Sequence, residues 1–220
     1  MTIKDLIRDT VPSLKLSDSG VKVLNWMESF QVRHLPVVDN GNYLGLISDN
    51  DILSSSDPVL PIHSYNLSLL QPFLFEHQHL FDAIKFVSNS HYTVVPILNE
   101  EKKFIGLITM FDIIDAIAVY HSVREHGGII EVELKGNDYL LSDLIKIVES
   151  CESSVLSINV VETSKIGSTV ISIKVNKVDL SKLLAAFYRK DIQVISTFNH
   201  VDISGDLQNR YDSFMNYLSI

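Results

Sequence analysis

Two segments of the chain carry the same pattern of residues and could bind the same kind of small molecule. Residues 45–51 and 106–112 each contain Gly-Leu-Ile, a hydroxyl residue, two variable residues and an aspartate. A carboxylate can accept hydrogen bonds from two hydroxyl groups at once, and a helix that begins beside it presents free backbone N–H groups to an anion. Glycine permits close approach of the backbone. The residues that carry this chemistry are Gly45, Ser48 and Asp51 in the first motif and Gly106, Thr109 and Asp112 in the second.

A second interpretation of both motifs involves no ligand. Ser/Thr-x-x-Asp ahead of an apolar run is also a capping box, in which the two side chains bind the backbone at the start of a helix. Stabilisation of the helix start would by itself explain Asp51 and Asp112. The sequence leaves both interpretations open.

The two motifs belong to a longer internal repeat. Pro36 and Pro96 lie 60 residues apart, and Gly45 and Gly106 lie 61 apart, so one residue is inserted between these landmarks. The insertion falls in a predicted turn, where insertions are tolerated. Self-similarity over this length indicates two copies of one structural unit.

Each copy has the apolar spacing of a strand, a helix, two strands and a further helix. In the first copy, Asp18 is the predicted N-cap of the first helix, and Asn40 with Gly41 predicts a hairpin turn between the paired strands. The predicted elements of this copy are a short strand at 14–16, a helix over 21–27, strands at 32–38 and 43–47, and a helix from residue 51. The second copy predicts a helix over 80–87 and a strand at 92–98.

This repeat resembles a tandem pair of CBS (cystathionine β-synthase) domains, and the resemblance covers residues 1–122. The twin Gly-Leu-Ile-Ser/Thr-x-x-Asp segments match the nucleotide-contacting motif of that family. The resemblance implies one CBS domain over 1–60, a second over 61–122, and an adenine nucleotide or adenosine derivative in the cleft between them. It also implies that both repeats build each pocket, with Arg33 and His34 beside Asp112, and Thr93 and Val94 beside Asp51.

The same resemblance implies AMP, ADP, ATP or S-adenosylmethionine as candidate ligands and no required cofactor. In the sequence, Arg33 is the only basic residue near the motifs, and Asp49 adds negative charge beside Ser48. Scarce positive charge favours a nucleoside or a monophosphate over a triphosphate. The second motif, around Asp112, is therefore the better candidate site.

Residues 128–200 predict a second domain of β-α-β-β-α-β order. Apolar residues alternate at 130–134, 156–160 and 171–175, and they follow helical spacing at 141–148 and 180–187. This order resembles an ACT domain, a ferredoxin-like module that binds amino acids in many proteins. Leu141 stands where that family has a glycine if Asp138 matches the family's aspartate, so a dimerisation or coupling role is favoured over amino-acid binding.

The order of the domains and the tail complete this organisation. A CBS pair followed by an ACT-like domain resembles the acetoin-utilisation type of regulatory protein. Residues 201–220 predict an amphipathic C-terminal helix, with Leu207, Tyr211, Phe214 and Leu218 on one stripe. Packing of this helix onto its own domain is favoured over recognition of a partner.

Other residues predict no catalytic centre. His77 and His79 would point to the same side of a strand and could hold a metal ion. They align, however, with a strand-to-helix turn of the first repeat, where polar residues cap and solvate. The sequence contains no P-loop and no nucleophile elbow. We therefore predict neither a metal site nor an enzyme.

Composition narrows the partners and the compartment. The net charge of -9 repels nucleic acid, and no apolar run is long enough to predict a membrane-spanning helix. Cys151 is the only cysteine, which excludes an intrachain disulfide and indicates a reducing compartment, for which the cytoplasm is the default.

Together these patterns predict an α+β protein with a CBS-domain pair and a C-terminal ferredoxin-like (ACT-like) domain. The predicted function is non-catalytic: the cleft between the CBS repeats binds the nucleotide, and the ACT-like domain transmits the signal. The predicted partners are a second copy of the chain, in a homodimer, and a protein target that is regulated in trans. The alternative is a dimerisation or scaffold module whose pockets bind nothing.

Overall fold

The structure, a computed structural model, divides the chain into two compact units, Met1–Ala118 and Val119–Ile220. It describes residues 1–8, 10–54, 57–65, 70–135, 141–161 and 168–199. The predicted helix over 201–220 and the predicted loop at Asp138 lie outside these ranges. Helices and strands alternate in both units, which confirms the α+β fold class.

The first repeat consists of two helices and one antiparallel pair of strands: α1 (Gly20–Ser29), β1 (His34–Asp39), β2 (Asn42–Ser48) and α2 (Asp49–Leu53). The turn between β1 and β2 has positive φ angles at Asn40 (49°) and Gly41 (77°), which the Asn-Gly signal predicts. Ahead of α1, Leu14 forms an isolated parallel bridge with Val37 where a short strand was expected. The hairpin therefore carries most of the backbone pairing of this repeat.

The prediction of Asp18 as the N-cap of α1 is wrong by one residue. Ser19 is the N-cap, and its hydroxyl accepts a hydrogen bond from the N–H of Lys22 at 3.4 Å. Asp18 turns back instead, accepting from the N–H of Lys15 at 2.8 Å and from the ammonium group of Lys22 at 2.6 Å. Two adjacent residues of good capping type made the choice ambiguous from the sequence.

The second repeat has the same order of elements, with a two-residue strand where the first has its isolated bridge: β3 (Leu74–Phe75), α3 (Leu80–Ser90), β4 (Val94–Leu98), β5 (Phe104–Thr109) and α4 (Met110–Tyr120). Its sheet has the order β3-β4-β5, with β3 parallel and β5 antiparallel to β4. The internal repeat is therefore confirmed. In the part of the chain that the structure describes, no helix is long and apolar enough to cross a membrane.

Each repeat is completed by a 3₁₀ turn that precedes the other repeat in the chain; the two turns are Ile3–Leu6 and Ile62–Ser64. The N–H of Ile3 donates to the carbonyl of Gln78 at 2.9 Å, just before α3. The N–H of Ile62 donates to the carbonyl of Asp18 at 2.8 Å, just before α1. The N-terminal segment thus packs on the second repeat, which the sequence analysis did not predict.

Two hydrophobic clusters form the core of the first unit. The first cluster surrounds α1, β1 and β2 and includes Val94 and Leu98 from β4. The second surrounds α3 and α4 and includes Val95 and Ile97 from the same strand, together with Ile3 of the N-terminal segment. β4 is buried on both faces because its alternate side chains enter different clusters.

The described residues of the second unit form six main elements: β6 (Gly128–Lys135), α5 (Leu141–Ser150), β7 (Val155–Val161), β8 (Ser168–Val175), α6 (Ser181–Arg189) and β9 (Gln193–Asn199). Its four-stranded antiparallel sheet has the order β7-β8-β6-β9. This β-α-β-β-α-β order confirms the predicted ferredoxin-like topology. The core lies between the sheet and the two helices, where Phe187 is fully buried.

Candidate functional site

The first motif forms a capping box at the start of α2. Asp51 Oδ2 accepts hydrogen bonds from the N–H of Ser48 and from the Ser48 hydroxyl, both at 2.7 Å. The N–H of Asp51 donates to Ser48 Oγ at 3.2 Å. These bonds occupy one carboxylate oxygen and fix the side chain at the end of β2.

The second motif repeats this geometry at the start of α4. Asp112 Oδ2 accepts from the N–H of Thr109 at 2.8 Å and from its hydroxyl at 2.7 Å, and the N–H of Asp112 donates to Thr109 Oγ1 at 3.2 Å. The Asp112 side chain is only 11% exposed. The near-identical distances in both motifs show that the repeat extends to the side chains.

The motif glycines lie at equivalent irregularities of the two hairpins. The strand register shifts next to Gly45 in the first hairpin and next to Gly106 in the second. Their φ angles are 152° and 155°, a region that side chains with a Cβ rarely adopt. A Cβ on Gly106 would lie 2.5 Å from Cγ2 of Ile7. The close approach at Gly106 is therefore made by the N-terminal segment.

Arg33 and Thr93 occupy equivalent positions in the two repeats and join the two motifs. The carbonyl of Arg33 accepts from the N–H of Asp49 at 3.1 Å, and the carbonyl of Thr93 accepts from the N–H of Met110 at 3.2 Å. The N–H of Arg33 donates to Thr93 Oγ1 at 2.9 Å. The structure thus brings the starts of α2 and α4 together through a direct contact between the repeats.

His34 lies beside the same contact. Its Nδ1 is 3.2 Å from Thr93 Oγ1 and accepts from the N–H of Thr93 at 3.4 Å, which assigns the ring proton of the neutral form to Nε2. Its ring packs edge-on against Tyr92, with 5.1 Å between centroids. Burial lowers the pKa of His34; Asp49 and Asp51 oppose this shift and Arg33 adds to it. His34 is therefore held in its neutral form at neutral pH.

The guanidinium group of Arg33 binds Asp49, with Nε 2.8 Å from Oδ2 and a second nitrogen 3.3 Å from Oδ1. This hydrogen bond holds the pKa of Asp49 below its usual range. The family resemblance implied Arg33 beside Asp112, whereas the observed partner of Arg33 is Asp49. The negative charge of Asp49, which made the first motif the weaker candidate, is therefore neutralised by Arg33.

Arg8 also lies near the motifs, although its own position in the sequence does not indicate this. Its Nε lies 3.5 Å from Asp112 Oδ1, the oxygen that the capping box does not use. The statement that Arg33 is the only basic residue near the motifs is therefore wrong. The sequence holds one weak signal for this contact. Ile3 and Ile62 are matching residues of the two copies, and they lie upstream of the segments that were compared.

Val94 has a different environment from the other predicted site residues. It is fully buried in the cluster around the first repeat, so its side chain cannot contact a ligand in a cleft. Its Cα partner in the sheet is Thr109, which is 8% exposed. Only the backbone of Val94 is available for a role in binding.

Of the two histidines His77 and His79, one has a clear structural role. His79 is the N-cap of α3, and its Nδ1 accepts from the N–H of Phe81 at 3.2 Å. His77 stacks on Phe75, with 5.6 Å between ring centroids. Among the residues that the structure describes, no group of three His, Cys, Asp or Glu side chains could hold a metal ion.

The family model described as "CBS domain" matches residues 3–57 and 71–119 of this chain. A CBS domain-containing protein of Dictyostelium discoideum is 25% identical to it over 130 residues. This similarity covers 52% of this chain and 90% of that protein. The ranges matched by the family model include both motifs, together with Arg33 and Thr93.

Three solved structures match about half of this chain. A CBS domain pair/ACT domain protein from Thermotoga maritima is 21% identical, with a TM-score of 0.48, and the match covers 53% of this chain and 96% of that one. CBSX2 in complex with AMP is 20% identical, with a TM-score of 0.47, covering 56% and 98%. CBSX2 from Arabidopsis thaliana is 20% identical, with a TM-score of 0.46, covering 53% and 93%.

Proposed function

We propose that the chain, in which residues 3–57 and 71–119 match the CBS domain model, is a non-catalytic regulatory protein that binds an adenine nucleotide or adenosine derivative in the cleft between the repeats. The candidate ligands are AMP, ADP, ATP and S-adenosylmethionine, with a monophosphate favoured over a triphosphate. The binding residues are those of the two motifs with Arg33, His34, Thr93 and the backbone of Val94.

The observation that carries this proposal is that the helix cap uses only one of the two oxygens of each motif carboxylate. In Asp51 and Asp112, the capping box uses Oδ2 and leaves Oδ1 for a further hydrogen bond. A ribose diol can donate two hydrogen bonds to one carboxylate, and charge-assisted bonds of this kind are stronger than neutral ones. Capping then holds the carboxylate in place for the ligand.

The second motif is the stronger candidate because of the helix that it starts. α4 has 11 residues and α2 has 5, so only α4 is long enough for an appreciable dipole at its N-terminus. That end favours an anionic group such as a phosphate. We therefore assign the principal site to Thr109 and Asp112.

The route to the second unit that we propose follows the chain. α4 begins at the second motif and ends at Tyr120, past the boundary between the units. Directly after it, the carbonyls of Ser122 and Val123 accept hydrogen bonds from Lys174 on β8, at 2.5 and 3.0 Å. A shift of α4 would reach the sheet of the ACT-like unit by this connection. Homodimerisation and regulation of a target in trans complete the proposal.

Asp82 supplies a matched control for the test, because it caps α3 as Asp112 caps α4. It accepts from the N–H of His79 at 3.1 Å, at a position outside both motifs. Asp112→Ala and Asp82→Ala should each cost about 1 kcal/mol of stability. Only Asp112→Ala should weaken AMP binding, by tenfold or more, because it also removes ligand hydrogen bonds worth about 1.5–3 kcal/mol.

The measurement is isothermal titration of AMP and the shift in melting temperature that it produces. Ligand at 100 times its dissociation constant should stabilise the wild type by about 2.7 kcal/mol. If AMP, ADP, ATP and S-adenosylmethionine all leave the melting temperature unchanged, the proposed function is wrong.

A second candidate function is a scaffold or dimerisation module whose pockets bind nothing. The observation that favours it is the complete capping box in both motifs, since capping alone accounts for the conformations of Asp51 and Asp112. It predicts that Asp112→Ala and Asp82→Ala lower the stability equally and that none of the four ligands changes the melting temperature. The experiment above therefore separates the two functions.

A further inference from the structure

Arg8 reaches the second motif from an N-terminal segment that is fixed to the second repeat. Ile3 and Leu6 are buried in the core of that repeat, and the N–H of Lys4 donates to the carbonyl of Glu76 at 3.0 Å. The Arg8 side chain itself is 60% exposed. Its guanidinium group can therefore change partners while the backbone of the segment stays in place.

The partner of Arg8 is the oxygen that the proposed ligand would use. Asp112 Oδ2 is engaged by Thr109, and Arg8 Nε lies 3.5 Å from Oδ1. This distance exceeds the roughly 2.7–2.9 Å of a short charge-assisted hydrogen bond. Arg8 and a ribose hydroxyl would thus compete for one carboxylate oxygen, and the ion pair to be displaced is a loose one.

The first motif does not have this arrangement. Its arginine, Arg33, makes two hydrogen bonds to the carboxylate of Asp49 and not to that of Asp51. Among the ion pairs between described residues, none includes Asp51. The two motifs have equivalent caps but differ in the cation beside the ligand-binding oxygen.

From this difference we infer that Arg8 makes the second site selective for a nucleoside monophosphate over the nucleoside. The inference rests on the proposed function and adds the identity of the selecting residue. When a monophosphate binds, its ribose hydroxyls replace Arg8 on Asp112 Oδ1, and its phosphate replaces Asp112 as the partner of Arg8. Every charged group that loses a partner gains another.

A nucleoside without phosphate makes only half of this exchange. Its ribose displaces Arg8 from Asp112 but offers the guanidinium group no anion in return. Arg8 therefore opposes binding of the nucleoside and supports binding of the monophosphate. Removal of the guanidinium group should change the two affinities in opposite directions, which loss of a merely structural residue would not do.

The experiment compares AMP and adenosine by isothermal titration, with Asp51→Ala in every protein to silence the first motif. Arg8→Gln should weaken AMP binding about tenfold and strengthen adenosine binding. Arg8→Lys keeps the charge and should retain the preference for AMP. Lys4→Gln is the control: it removes an exposed cation of the same segment, 2.7 Å from Glu76, and should change neither affinity.

Each other outcome is also informative. Equal weakening of both ligands by Arg8→Gln would mean that Arg8 only positions the segment, and the inference would be overturned while the proposed function stood. A wild-type protein that binds neither AMP nor adenosine would overturn the proposed function and the inference together. Melting temperatures of all variants establish that each one is folded.

Discussion

At the scale of single residues, Asp112 shows that capping and ligand binding are compatible. One oxygen of its carboxylate holds the start of α4, and the other faces Arg8. A cap needs only one acceptor, so a residue selected for the cap can also read a ligand. Asp51 shares this geometry, and the effect of Asp112→Ala on AMP binding, compared with that of Asp82→Ala, distinguishes a cap that also binds a ligand from a cap alone.

His34 predicts a pH dependence of stability at the contact between the repeats. Burial lowers its folded-state pKa, so the unfolded chain binds more protons at acidic pH. Stability should fall as the pH drops through the unfolded pKa of about 6.5, and the loss should level off below the folded pKa. Thermal unfolding at a series of pH values from about 8 to 5 measures it.

The corresponding variant is His34→Gln, which cannot titrate in this range. The difference in melting temperature between wild type and variant should shrink as the pH falls from 8 to 5. Asp49, whose pKa is lowered by Arg33, loses its contribution only near and below the ordinary range of a carboxylate, about pH 4, and does not interfere. A difference that is constant with pH would contradict this prediction.

At the scale of elements, packing of the N-terminal segment explains why residue 106 is a glycine, which the sequence analysis attributed to close approach of a ligand. Gly106 has a φ of 155°, and the space where its Cβ would lie is filled by Ile7. The sequence predicted the glycine from the motif, but its packing partner is 99 residues earlier in the chain. Only the fold brings these two residues together.

Gly106→Ala should therefore destabilise the protein by more than Gly41→Ala. Gly41 also has a positive φ, 77°, but no atom beyond its two chain neighbours lies within 4 Å of its missing Cβ, so its substitution measures backbone strain alone, about 1 kcal/mol. The variant at Gly106 adds the clash with Ile7 at 2.5 Å. Chemical denaturation of both variants gives the two free energies of unfolding.

A double-mutant cycle identifies the cause of the extra loss. Ile7→Ala should relieve the clash, so Gly106→Ala should cost less in its presence, with a coupling energy of about 0.5–3 kcal/mol. Additive effects of the two substitutions would show that Ile7 does not press on Gly106.

At the scale of the whole molecule, the repeat was the strongest signal in the sequence. Matching residues 60 and 61 apart predicted both motifs and the order of elements in each copy, because apolar periodicity is a local property. The partners of Arg33 and Arg8 were not predictable in this way. Long flexible side chains choose among several carboxylates, and that choice depends on contacts distant in sequence.

Lys174 allows the proposed connection between α4 and the second unit to be tested. It is 7% exposed, and its ammonium group binds two backbone carbonyls that follow α4. Lys174→Met should leave these carbonyls unpaired and cost about 1–3 kcal/mol. It should also reduce any change that AMP causes in amide hydrogen exchange of β8, without changing AMP affinity.

The control for this variant is Lys182→Met on α6, an exposed position where the same substitution should cost under about 0.5 kcal/mol. If AMP changes hydrogen exchange in β8 equally in wild type and Lys174→Met, the signal does not pass through this lysine.

The exchange of the two 3₁₀ turns limits how this molecule can be divided. A fragment that holds only residues 58–122 would carry the turn Ile62–Ser64 without the start of α1, where that turn binds, and the start of α3 without the turn Ile3–Leu6. Because Ile62 and Ile3 occupy equivalent positions, the turn of one such fragment could bind at the start of α3 of another. A single repeat should therefore be recovered as a reciprocally swapped dimer.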